Sequence, residues 1–333
     1  MKPIANQTAG RLRGPTGRYA LWLAVVLLLV ASSGASCPGF ITSYSPVMPR
    51  VLSATPTLAD VTAVVNNNSG RIHSLYTTDA EIHSPGAPKA RANIALERPH
   101  RFRLRADTLL TGPEVDLGSN DELFWFWVRR APEPAIYFCR HEQFSNSAAR
   151  QILPVEPEWL IDALGVATLD PAGDHTGPVP VGGGRLRIET RLPHAEGDLR
   201  RVMIIDDSRG WVLEQHLYDP SGQLLASALM SGHRRDPLAN VVLPKTVRIV
   251  WPPTKFEMTI DLNNVQVNQL SGDPQQMWAM PNLGASTPPV NLADPNLHLA
   301  PAQPAPPPPP AYPEPTETPQ TSRGRGGWLN WTR

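Results

Sequence analysis

Beyond Gly70, apolar residues in this chain recur at every second position. In RFRLRAD, Phe102 and Leu104 alternate with Arg101, Arg103 and Arg105; in GRLRIETRL, Leu186 and Ile188 alternate with Arg185, Arg187 and Glu189. In KFEMTIDLNN, Phe256, Met258, Ile260 and Leu262 alternate with Glu257, Thr259 and Asp261. A period of two marks a strand with one dry face and one wet face. Similar runs occur at RIHSLYT, RANIAL, LFWFWV, AIYFC, RVMIID, WVLEQHLYD, LLASALMSG and KTVRIVW, separated by turn signals such as Pro85-Gly86, Gly182-Gly183-Gly184 and Pro220-Ser221-Gly222. Many short strands with close turns and few helices predict an antiparallel meander of about ten strands rather than a βαβ fold.

Two segments carry a helical period instead. TLADVTAVVNNNSG reads as a short helix with Thr57 as its cap, a stripe of Leu58, Val61, Val64 and Val65, and an end at Asn68 and Gly70. PEWLIDALGV places Trp159, Leu160, Ala163 and Leu164 in a compact apolar stripe. A sheet of this size must pair with a second sheet, close into a barrel or curl around something else. Two short helices make a lid, not a full layer, and that leaves room for a cavity. LFWFWV is apolar on both strand faces: Leu123, Trp125 and Trp127 share one, Phe124, Phe126 and Val128 the other. It reads equally as a central strand packed on both sides and as one wall of a pocket.

The most apolar stretch lies near the N-terminus. Lys2, Arg11, Arg13 and Arg18 precede ALWLAVVLLLVA, which at about twelve residues is short of the twenty or so that a span requires. Ser32, Ser33, Gly34, Ala35 and Ser36 then run into Cys37. This resembles the lipobox of bacterial lipoproteins, in which the cysteine is acylated and becomes the new N-terminus, although Gly34 stands where that motif carries Leu. Cleavage at a nearby small-residue site and a retained anchor are the other two outcomes. All three export the chain.

Composition narrows the chemistry. With 30 basic and 30 acidic residues the chain is neutral, and its arginines alternate along strands, which argues against a nucleic-acid partner. Its 2 cysteines are Cys37 and Cys139, so an acylated Cys37 leaves Cys139 without a disulfide partner. Within AIYFC, Cys139 reads as a buried thiol acting as a small hydrophobe. The 9 histidines form no H-E-x-x-H and no metal-spaced pair, G-x-S-x-G is absent, and Gly182–Gly184 precedes a strand rather than a helix. Neither an enzyme, a metal nor a cofactor is expected. Past Pro281 the periodicity fails and APAQPAPPPPPAYPEPTETPQTS takes over, a composition that favours extended polyproline and cannot bury a core. Such a segment suits a spacer through the envelope or a ligand for an envelope protein.

The motifs ERPHRFRLRA, SNDELFWFWV and LPKTVRIVWPP followed by VQVNQ resemble the periplasmic lipoprotein carriers and outer-membrane lipoprotein-sorting proteins of the LolA, LolB and LppX type. Asp121-Glu122 stands where the carriers have Gly-Lys. The resemblance implies a mainly β (α+β) fold: an open, curled antiparallel β-sheet, an incomplete barrel, with short helices as a lid over an apolar cavity. The resemblance covers roughly residues 57 to 270, and the anchor and the proline-rich tail depart from the soluble carriers; with the leader and the composition it divides the chain into a signal peptide over 1–36, a spacer over 37–56, a basket domain over 57–281 and a disordered tail over 282–333. Phe102, Leu104, Trp125, Trp127, Leu186, Ile188, Phe256, Met258 and Ile260 are then the candidate cavity residues. Arg98, Trp159, Leu160 and Leu164 are the lid contacts, Arg98 on the strength of the carriers' Arg-Pro. The implied partner is lipid or an acylated lipoprotein, and the implied location is the bacterial cell envelope, facing the periplasm from the outer membrane through an acyl anchor at Cys37. A scaffold lipoprotein using the same basket without transport is the alternative.

Overall fold

The computed structural model describes residues 49–297 apart from 109–110, 132–134, 154 and 195–196. The chain divides into two compact units, Met1–Val51 and Leu52–Arg333, and every described strand and helix belongs to the second. The leader, Cys37, most of the spacer and the proline-rich segment beyond residue 297 lie outside the described residues.

Six strands follow one another as a meander: β1 (Ser74–His83), β2 (Ala90–Glu97), β3 (Arg101–Thr108), β4 (Gly112–Ser119), β5 (Leu123–Val128) and β6 (Ile136–Arg140). A second run comprises β7 (Asp174–Gly182), β8 (Arg185–Leu192), β9 (Leu199–Asp206), β10 (Val212–Tyr218) and β11 (Leu224–Ser231). A separate hairpin of β12 (Arg234–Asp236) and β13 (Val241–Leu243) leads into β14 (Thr246–Trp251) and β15 (Phe256–Leu262). Two short strands, β16 (Gln266–Val267) and β17 (Pro289–Asn291), complete the set.

The strand order is β17-β6-β5-β4-β3-β2-β1-β15-β14-β11-β10-β9-β8-β7, with β16 also paired to β1. The two meanders meet at a seam where Ala80 faces Leu262 and Ile82 faces Ile260. The sheet curls without closing, since β17 and β7 stand at its two edges. It is the open, mainly antiparallel sheet that was expected, with 15 strands rather than about ten. Among the extra strands, β16 and β17 are only two and three residues long. β7 contains Pro178 and Pro180, which remove ladder donors and are tolerated at an edge.

The first helix, α1 (Leu58–Ser69), forms as the sequence predicts. Thr57 caps it in a reciprocal box: its hydroxyl accepts from the Asp60 N–H, and the Asp60 carboxylate accepts from the Thr57 N–H at 2.9 Å. Val61 and Val65 bury its apolar stripe against Leu186, Ile188, Met203 and Ile205 of β8 and β9. Two asparagines at its end act as substitute backbone. Asn66 gives its amide to the Leu169 carbonyl and accepts from the Leu169 N–H, and Asn68 does the same with Val242, all within 2.6–2.9 Å.

The second predicted helix is α3 (Pro157–Ile161), preceded by the single turn α2 (Ala149–Ile152). Proline at the first position of α3 costs no hydrogen bond, because that N–H has no partner inside the helix. The chain continues as a wider turn over Asp162–Val166, where Gly165 sits at φ +95. A Cβ there would stand 2.4 Å from Pro244, so the close approach of this turn to the sheet requires glycine. Trp159, Leu160, Ile161, Ala163 and Leu164 pack into the main core, which is continuous with the inner face of β1–β3, β14 and β15.

Residues beyond Pro281, expected to be tail, partly belong to the fold. β17 pairs in parallel with β6, Val290 opposite Tyr137, and Leu292 is buried in the main core. Three residues beginning with proline give no readable alternation, so the ordered fold extends past the expected boundary.

Candidate functional site

The curl of the sheet encloses an apolar cavity of about 560 Å³. One row of its wall follows from register alone. Leu104 on β3 faces Leu117 on β4, and Leu117 faces Phe126 on β5. Phe126 in turn stacks on Tyr137 of β6, with ring centroids 5.2 Å apart. Across the seam the wall is completed by Ile82 of β1 and by Met258 and Phe256 of β15, the last stacked on Trp251 at 4.6 Å. Ile152 of α2, Leu153 just after it, and Leu160 of α3 close it from the helical side.

Its two ends differ. The ends of β1, β3, β5 and β14 and the starts of β2, β4, β6 and β15 lie together at one end of the sheet, because alternate strands of a meander reverse direction. The cavity residues nearest that end include Ser84, Thr108, Thr254, Val128 and the Glu114–Arg130 pair, and Val128 is 40% exposed. This is the mouth. Glu114 is buried and accepts a hydrogen bond from the Thr111 hydroxyl. That hydroxyl, helped by Arg130 and Arg129, holds its carboxyl below the ordinary glutamate range.

At the opposite end, Glu158 of α3 reaches the β2–β3 turn, 2.9 Å from His100 Nδ1, and lies 3.7 Å from His141 Nδ1 after β6. His141 in turn bonds through Nε2 to the Asn120 carbonyl at 2.8 Å. Beneath the lid, Asp162 lies 3.4 Å from Arg201. Burial pushes the Asp162 carboxyl up to about 6, with Arg201 and Arg98 opposing the shift and Glu158 adding to it. Arg201 is itself lowered, again by burial first, with Asp162 opposing. The lid end is therefore held by buried apolar side chains and by charges that are costly to bury.

Leu104, Phe256 and Met258 stand at the cavity wall, and so does Leu160 from the lid. Phe102 and Ile260 belong to the same core without reaching the wall, as do Trp159 and Leu164. Leu186 and Ile188 do not approach the cavity. They form the separate cluster under α1, because β8 lies on the part of the sheet that the helix covers. Arg98 donates to the Ser69 carbonyl at the end of α1 at 3.0 Å, which ties the β2–β3 turn to that helix.

The placement of Trp125 and Trp127 is corrected. β5 turns Phe126 and Val128 toward the cavity, and alternation puts Trp125 and Trp127 on the outer face. The reason lies across the strand. Trp125 faces Gly118, where a Cβ would sit 2.1 Å from the indole, so the ring can lie flat over the neighbouring strand only because Gly118 has no side chain. There it meets the Arg103 guanidinium at 5.1 Å and donates through Nε1 to Asp116 at 3.1 Å.

Arg103, expected on a wet face, has a side chain only 7% exposed and an ion pair with Asp116 at 2.6 Å. Its Nη1 donates to the carbonyls of Met277 and Ala279, so the segment around the single turn α4 (Pro274–Met277) covers the outer face of β3–β5. Sequence reading missed Arg103, Asp116, Glu114 and Arg130. The signal that was available is the doubly apolar LFWFWV, which requires cover on both faces.

Cys139 is buried, its thiol pushed up by burial, and lies 3.5 Å from the Ser147 hydroxyl. Among the described residues no three His, Cys, Asp or Glu side chains gather as metal ligands, and no helix is long and apolar enough to cross a membrane.

No protein-family model and no curated protein matches the chain. Solved structures similar to it include a domain described as an outer membrane lipoprotein-sorting protein from Vibrio parahaemolyticus, with 10% identity and a TM-score of 0.44, covering 65% of this chain and 95% of that one. A DUF1329 family protein from Desulfovibrio piger is 15% identical with a TM-score of 0.43, covering 64% and 94%. A LolA superfamily protein from Nitrosomonas europaea is 9% identical with a TM-score of 0.39, covering 68% and 99%.

Proposed function

We propose that the chain is a protein of the bacterial cell envelope whose cavity takes up the acyl chain of a lipid or of an acylated lipoprotein, in lipid or lipoprotein transport or sorting. The observation that supports this reading is the cavity itself. It is about 560 Å³, walled by aliphatic and aromatic side chains, and open at its mouth. Its size falls in the range of ordinary ligand sites, about 300–1,000 Å³. Each methylene moved into it from water contributes about 0.8 kcal/mol, which makes an acyl chain its natural occupant. Attachment to the outer membrane through an acylated Cys37 belongs to the same proposal and rests on the leader sequence.

The full chain, purified and delipidated, is expected to bind a fluorescent acyl probe saturably. Val128→Trp fills the mouth at a partly exposed position and Leu104→Trp fills the wall. Each is expected to weaken uptake at least about tenfold, equivalent to about 1.4 kcal/mol. The melting transition of each variant separates blocked binding from lost fold. Absence of uptake by the wild-type protein would replace the carrier reading with that of a scaffold.

A further inference from the structure

The cavity is dry except at its mouth, where one cationic side chain is held in place by a carboxylate. Arg130 follows β5, and its side chain is 62% exposed. Glu114 accepts from Arg130 Nε at 3.1 Å and, more loosely, from Nη2 at 3.5 Å. That contact occupies one edge of the guanidinium and leaves Nη1 without a partner among the described residues. Glu114 is fixed in its turn by the Thr111 hydroxyl, and Arg129 is spent on the carbonyls of Thr111 and Pro113. A planar guanidinium with one edge fixed and the other open is suited to carboxylate or phosphate oxygens.

We propose that Arg130 selects the headgroup: the preferred ligand is an amphiphile whose acyl tail enters the cavity and whose anionic oxygens meet the free edge of Arg130 at the mouth. This inference rests on the acyl-binding reading above and adds charge selectivity to it. The guanidinium lies at the boundary between dry wall and solvent, where an ion pair is less screened than on an open surface and neither charge must be fully buried. The bond to Glu114 orients Arg130 without cancelling its charge toward an incoming head, because Arg129 contributes a second cation to the same rim. A neutral head of the same tail length would gain the apolar contacts alone.

The test uses the delipidated full chain loaded with an uncharged fluorescent acylglycerol, displaced by palmitate, by palmitoyl lysophosphatidate or by methyl palmitate. Wild type is expected to release the probe at concentrations at least about tenfold lower for an anionic competitor than for the ester, one factor of ten being about 1.4 kcal/mol. The better of the two anions identifies whether the head is a carboxylate or a phosphate. Arg130→Gln is expected to erase the advantage, so that the anionic competitors displace the probe no better than the ester does, and Arg130→Lys to restore part of it. Equal displacement by all three competitors in wild type, or an advantage that survives in Arg130→Gln, overturns the role of Arg130 and leaves acyl binding standing. Failure of wild type to take up the acylglycerol removes both.

Discussion

Asp162 and Arg201 meet at 3.4 Å under the lid, where burial works against the charge of each. An unfolded aspartate releases its proton near 3.8, whereas Asp162 in the fold holds it to about 6. Across that window the native state binds more protons than the unfolded one, so stability contributed by this group falls as pH rises from about 4 to about 6. Asp162→Asn removes the titration. The stability of wild type relative to the variant is expected to fall by about 1–3 kcal/mol over the window, read from denaturant midpoints at successive pH values. With 25% of the Asp162 side chain exposed, the lower end of that range is the expected result. A rise instead would mean that attraction to Arg201 and Arg98 outweighs burial. None of this was legible in the sequence, where Asp162 and Arg201 are separated by two strands and two turns. The same limit applies to Trp125: alternation shows that it opposes Phe126, but only the pairing with Gly118 decides which of the two faces inward.

Elements with a strong internal period were legible, and elements defined by their neighbours were not. Thr57, Asp60 and the Val61–Val65 stripe announce α1 within one stretch of chain, and PEWLIDALGV announces the lid. β17 is the contrary case. Its three residues acquire strand geometry from β6, with Ile136 N–H donating to the Pro288 carbonyl at 3.0 Å and Leu292 N–H to the Phe138 carbonyl at 2.8 Å. Ending the chain after Pro281 removes those bonds and the buried Leu292. Burial of one such side chain is worth about 1.5–3 kcal/mol, so a loss of about 2 kcal/mol is expected after the ordering entropy is returned. Ending it after Leu297 is expected to leave the melting temperature unchanged. Equal melting of the two truncations would show that β17 adds nothing.

At the scale of the whole molecule, the sequence conveyed the open sheet, its lid and its hollow interior, because the area of dry strand face exceeded the cover available. It did not convey which strands face the hollow, since that depends on the direction of the curl. Attachment to a membrane is a whole-molecule property as well. A single acyl chain binds a bilayer only marginally, so the stable anchorage proposed for Cys37 requires the two or three chains of a lipoprotein. Cys37→Ala is expected to shift the protein from the membrane fraction to the soluble envelope fraction or to leave the precursor uncut, as followed by fractionation and intact mass. An unmodified N-terminus well past Cys37 in the wild type would contradict it. The seam between β1 and β15 has a kinetic consequence. Hairpins such as β2–β3 and β8–β9 bring together neighbours in sequence and can zip early, whereas Ala80 meets Leu262 only after nearly the whole domain has been gathered. Because Ile82 and Met258 stand on either side of that seam, the cavity is complete only once that long-range contact has formed. An occupant is therefore expected to prolong the life of the folded protein more than it hastens its arrival.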